Sequence, residues 1–94
     1  MPLLPMSVLL NKANAEGYAV GAFNTNNMEI TQAIIEGAVA ERAPVIIQCS
    51  EGAMKYAGVD TVVAMVKALA ENVDIPVALH LDHGQEFANL LKCI

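Results

Sequence analysis

Three β-branched apolar residues in succession, Val45-Ile46-Ile47 directly behind Pro44, constrain this chain more than any other feature. Successive side chains of a strand point to opposite faces, so an apolar run without polar alternation belongs to a strand buried on both sides. The segment PVIIQCS, Pro44 to Ser50, is therefore expected as such a strand, with helices packed over it.

The neighbouring segments supply those helices. Ser7 suits the cap of a first helix running to about Glu16, with Val8, Leu9 and Lys12 on successive turns and Gly17 ending it. The run Tyr18 to Phe23 reads as a short extended segment in which Gly21 marks a close approach. From Met28 to Arg42 an apolar stripe of Ile30, Ile34 and Ala38, with Ile35 and Val39 one position round, predicts a helix, and Asn26 with Glu29 has the form of a capping box. After the central strand, EGAMKYAG holds a short helical turn. Asp60 then caps a helix to about Asn72 that buries Val62, Val63, Val66, Leu69 and Val73. Pro76 introduces a further strand, Val77 to Leu81, and a last helical pattern covers Glu86 to Ile94.

The order is thus a helix followed by three strand-helix pairs. Strands joined through helices of this length are parallel, with right-handed crossovers. A doubly wound sheet and a (β/α)8 barrel share that unit, and a closed barrel takes about 250 residues.

Composition narrows the function classes. With 55% apolar residues in 94 and a net charge of −5, the chain is too apolar for disorder and too acidic for a phosphate-backbone surface, so nucleic acid is excluded as a partner. The apolar fraction exceeds the usual ~45–50%, a surplus that suits either an oligomer or one part of a larger core. Cys49 and Cys93 lack paired-ligand spacing and read as reduced structural thiols. The methionines read as core filler. The N-terminus MPLLPMSVLLNK has neither a basic leader nor a membrane-length apolar run, which places the chain by default in the cytoplasm and off the membrane.

Parallel α/β folds bind ligands at the carboxyl ends of their strands. Those ends here read Phe23-Asn24-Thr25-Asn26, Cys49-Ser50-Glu51-Gly52 and His80-Leu81-Asp82-His83-Gly84. Asp82 beside His83 offers a proton carrier next to an imidazole metal donor. Simpler roles also fit each residue: Asp82 as a helix cap with His83 solvated, His80 as a hydrogen-bonded interior residue, Asn24 as a turn residue, Ser50 as a cap. No GxGxxG, GxxxxGK[ST] or GxSxG pattern occurs, so common nucleotide-binding and hydrolase readings lack support.

Taken together and in order, GYAVGAFNTNN, APVIIQCSEGAMKYAG and VALHLDHG resemble the N-terminal part of the class II, zinc-dependent fructose-bisphosphate aldolases and their tagatose-bisphosphate relatives, from about Leu3 to Ile94. The resemblance implies an α/β fold comprising about three β/α units of a TIM (β/α)8 barrel. It also implies that residues 1–94 form a single segment without a second domain. It further implies a cytoplasmic lyase of glycolysis and carbohydrate metabolism, a dimer or tetramer acting on a phosphorylated ketose. By the same resemblance His83 matches a zinc-ligand histidine and Asp82 the aspartate that shuttles a proton. Asn24 and Ser50 match substrate-contacting residues, and His80 matches a histidine near the metal that is not a ligand.

Only one of the zinc ligands falls within these residues, so the chain alone is expected to be inactive, with the remaining ligands elsewhere. A non-catalytic α/β piece that self-associates is the competing reading. An unrelated flavodoxin-like binding domain is disfavoured by the absence of a phosphate loop.

Overall fold

The computed structural model describes residues 1–94. It contains α1 (Met6–Glu16), β1 (Gly21–Asn24), α2 (Met28–Ala40), β2 (Val45–Ser50), α3 (Glu51–Ala57), α4 (Val59–Glu71), β3 (Val77–Asp82) and α5 (Phe87–Cys93). The three strands form one parallel sheet in the order β1-β2-β3, and the register sets Asn24 opposite Gln48 and Gln48 opposite His80, with Ser50 opposite Asp82.

The unalternated run behaves as expected. Val45, Ile47 and Cys49 point to one face and join Ile35 of α2, Met54 of α3 and Val62, Val66 and Ala70 of α4 in the main core. Ile46 points to the opposite face, where it meets Ala78 and Leu9 of α1 in a smaller cluster. That second face is apolar only at this row. Two residues further along each strand it becomes polar, with Asn24, Gln48 and His80, and then Ser50 and Asp82. A second helical layer has no apolar surface to pack on there, which favours the inner wall of a barrel over a doubly wound sheet.

Several local expectations move by a residue or two. Pro5, not Ser7, stands at the N-cap of α1 without a side-chain cap, because proline's fixed φ suits the entry and Ser7 already lies inside the helix. The buried residues of α1 are Leu9 and Ala13, one turn apart, and Val8 is exposed. Gly17 ends it at φ 77°, as expected. The strand at Gly21 starts three residues later than the extended run suggested; a Cβ on Gly21 would stand 2.6 Å from the Phe23 ring, which is the close approach. Asn27 rather than Asn26 caps α2, accepting from the Ile30 amide at 2.8 Å, and no capping box forms. The inward stripe of α2 rotates to Thr31 and Ile35 with Ile34 and Ala38, leaving Ile30 and Val39 exposed. Gly58, not Asp60, precedes α4, and Ala70 takes a fully buried place beside Val62 and Val66. Cys93 is exposed, whereas Cys49 is buried.

Thr31 is the one buried polar residue inside α2. Its hydroxyl donates to the Asn27 carbonyl at 2.8 Å and lies 2.6 Å from the Thr25 hydroxyl, so the turn that follows β1 is satisfied internally.

Candidate active site at the carboxyl ends of the strands

The polar residues of the open face form a directed chain of hydrogen bonds. Asn24 Nδ2 donates to Asp82 Oδ2 at 3.0 Å, Gln48 Nε2 donates to Asn24 Oδ1 at 2.8 Å, and His80 Nδ1 lies 3.3 Å from Gln48 Oε1. An ionised carboxylate only accepts, so Asn24 must turn its amide nitrogen toward Asp82. That choice leaves Asn24 Oδ1 to accept from Gln48, and Gln48 Oε1 to accept from His80. Nδ1 of His80 is thereby assigned as the donor of this contact.

The arrangement follows from the register. Asn24, Gln48 and His80 occupy one row across three strands, and Asp82 sits two residues further on the same face, within reach of Asn24 across β2. Asp82 is half-buried at the strand end. It caps no helix; instead one carboxylate oxygen is held by Asn24 while the other lies 3.7 Å from His83 Nε2.

His83 begins the loop beyond β3 in the left-handed backbone region, φ 53°, with its side chain 81% exposed. Left-handed backbone is uncommon for residues carrying a Cβ and clusters where a loop is held for function. Ser50 ends β2 and accepts from the Ala53 amide at 3.1 Å, capping α3, while its own hydroxyl proton stays free to donate. Three of the four expected residues, Asn24, Ser50 and Asp82, therefore share one face of the sheet, and His83 projects beside them.

Two residues of this region escape sequence reasoning. Gln48 looks like any residue of VIIQCS until the register sets it between Asn24 and His80. Glu51, the first residue of α3, reaches the loop after β3: its carboxylate accepts from the amides of Gln85 and of Glu86, the latter at 3.2 Å, and from Asn89 Nδ2 at 2.5 Å. These hydrogen bonds, from the Gln85 amide above all and then from Asn89, hold the Glu51 carboxyl below its ordinary range. One signal did exist, since no Ser, Thr, Asp or Asn stands just before Phe87 to cap α5.

A catalytic zinc takes three protein ligands and keeps a position open. No group of three His, Cys, Asp or Glu side chains converges in this chain. The exposed imidazole of His83 fits as one donor of such a set, next to a carboxylate that remains able to accept a proton.

The family described as "Fructose-bisphosphate aldolase class-II" matches residues 5–94. The chain is 56% identical over its whole length to a Bacillus subtilis protein named "Probable fructose-bisphosphate aldolase" and covers 34% of that protein. It is 57% identical over 86 residues to the fructose-bisphosphate aldolase of Thermus caldophilus, covering 92% of this chain and 28% of that one. Among solved structures, the crystal structure of the YdjI aldolase from Escherichia coli K12 superposes on 97% of the chain with a TM-score of 0.88 at 26% identity, covering 36% of that protein. The chain thus spans about a third of the length of the relatives it matches.

Proposed function

The chain belongs to the class-II fructose-bisphosphate aldolase family, and from that membership we propose that its strand ends supply part of the active site of a zinc-dependent ketose-bisphosphate aldolase. The reaction is the reversible cleavage of fructose 1,6-bisphosphate to dihydroxyacetone phosphate and glyceraldehyde 3-phosphate. The observation that carries this reading is the Asn24-Asp82 hydrogen bond beside His83, at the end of the sheet where parallel α/β folds bind ligands.

Cleavage begins when the C4 hydroxyl loses its proton. Asp82 accepts that proton, the C4 oxygen forms a carbonyl, and the C3–C4 bond breaks with its electron pair left on C3. Returning the proton from Asp82 to the aldehyde oxygen runs the reaction backwards as condensation. When bound, zinc supplies Lewis-acid stabilisation of the charge left on the dihydroxyacetone phosphate half. His83 is one of its donors, and the other ligands lie outside these 94 residues.

Asn24 serves this step by fixing the carboxylate. With Oδ2 occupied by the Asn24 amide, the free lone pairs of Asp82 have a defined direction, and Gln48 and His80 hold Asn24 in turn. Asn24 and Ser50 also present donors along the same face for substrate oxygens. The reading extends to these residues as one segment of a barrel without a second domain, and to a cytoplasmic dimer or tetramer of glycolysis; the family membership supports it.

The test uses the complete aldolase barrel carrying this sequence. Asp82→Ala is expected to lower kcat by about three orders of magnitude, the middle of the usual range for a general base, while zinc stays bound; unchanged turnover refutes the role. His83→Ala is expected to lose zinc.

A further inference from the structure

We propose that Glu51 is a positioning residue for His83, acting as a clasp between the helix after β2 and the loop after β3. The inference rests on the reading of His83 as a metal donor and adds a residue which that reading does not contain.

His83 and Gly84 form a two-residue span between fixed points. On one side Asp82 is the last paired residue of β3, opposite Ser50. On the other, the amides of Gln85 and Glu86 and the side chain of Asn89 all donate to the Glu51 carboxylate. Glu51 itself directly follows Ser50 and sits in the first turn of α3, so both ends of the span are anchored on β2 or its immediate continuation.

The loop has little else to hold it. Helix α5 has seven residues, no side-chain cap of its own and no buried residue, and helices this short are unstable unless something outside them holds them. Gly84 lies against Leu81 and Leu90, where a Cβ would come within 2.8 and 2.9 Å of their methyl groups. That packing restrains the turn from one side, and the Glu51 hydrogen bonds restrain it from the other. A non-glycine residue at φ 53° keeps that conformation only when its surroundings enforce it. Without the clasp, His83 is expected to relax toward ordinary backbone and sweep its imidazole away from Asp82.

The experiment compares four forms of the complete aldolase: wild type, Glu51→Ala, Glu51→Gln and His83→Ala. Amide hydrogen exchange is followed in the metal-free protein, and zinc affinity by competition with a chelator. Glu51→Ala is expected to speed exchange at Gln85 and Glu86 by about tenfold or more, leaving Val45–Ser50 unchanged. It should also weaken zinc by about tenfold, the scale for groups that orient a metal ligand. Glu51→Gln, which keeps the volume and one acceptor oxygen, should restore part of both. Wild-type zinc affinity in Glu51→Ala, or unaltered exchange at Gln85 and Glu86, overturns the proposal. If Glu51→Ala also loosens β2, Glu51→Gln decides by the same two readouts. Wild-type zinc affinity in His83→Ala instead refutes the metal-donor reading, an outcome distinct from failure of the clasp.

Discussion

At the scale of single residues, the polar groups of the open face are organised by what each atom can donate or accept. Asp82 as an acceptor dictates the Asn24 amide orientation, and that choice propagates through Gln48 to His80. The same accounting predicts how Glu51 responds to acid. Its carboxyl is held below the ordinary glutamate range by the Gln85 amide and Asn89, so the clasp favours the ionised form. A depressed value in the folded state means that the stabilisation is present above the unfolded glutamate range and is lost as pH falls through the lower, folded value. The Gln85 and Glu86 amide resonances should therefore titrate with a midpoint below that of an unfolded glutamate; a midpoint at or above it contradicts the bond. The two thiols make a second contrast. Burial, and then the neighbouring Cys93, push the Cys49 thiol up, whereas Cys93 lies in solvent. Thiolate is the reactive form, so iodoacetamide at neutral pH should label Cys93 and spare Cys49 until the chain unfolds, as peptide mass mapping will show.

At the scale of elements, caps and registers decide what each segment contributes. Asn27→Ala removes the acceptor for the Ile30 amide and should destabilise the fold by about 1 kcal/mol in urea titration. Thr31→Val removes a fully buried hydroxyl that serves Asn27 and Thr25, and should cost about 0.5–1.5 kcal/mol, the net value of a hydrogen bond, because the Thr25 hydroxyl still donates to the Asn27 carbonyl at 3.1 Å. The elements themselves were legible because apolar periodicity is a local property: Val45-Ile46-Ile47 announces β2, and Val62 with Val66 announces the buried side of α4. Their edges were less legible. Asn26 and Asn27 are equally good caps by residue type, and only the extended backbone at Asn27, φ −150° and ψ 171°, selects between them. The candidate site divides in the same way. Asn24, Ser50, Asp82 and His83 stand where apolar runs stop, which the chain states directly. The tasks of Gln48 and Glu51 depend on partners 24 to 38 positions away, brought close by register and by the α3 turn. No local pattern encodes those distances.

At the scale of the whole molecule, the surface is larger than a closed fold of this size requires. The accessible area is 5927 Å², against roughly 5,200 Å² expected for a compact monomer of this mass. Exposed apolar groups occur at both ends of the sheet, Phe23 on the outer strand β1 and Phe87 and Leu91 on α5 with Ile94 just after it, as well as elsewhere, Tyr56 on α3 among them. β1 and β3 each have one sheet edge with no neighbouring strand, which leaves backbone donors and acceptors available for pairing. These are the places where a (β/α)8 barrel continues its sheet in both directions, and the relatives that the chain matches are about three times its length. The 94-residue chain prepared by itself should therefore associate with concentration in sedimentation velocity experiments, burying these faces between copies. Association does not supply the missing chemistry, because zinc needs several converging donors and each copy brings His83 alone beside Asp82. That chain should cleave no fructose 1,6-bisphosphate and hold zinc no better than its own His83→Ala variant in equilibrium dialysis. Zinc-dependent cleavage by the 94 residues alone would show that the donors can be assembled between copies and would overturn the placement of the remaining ligands outside this segment.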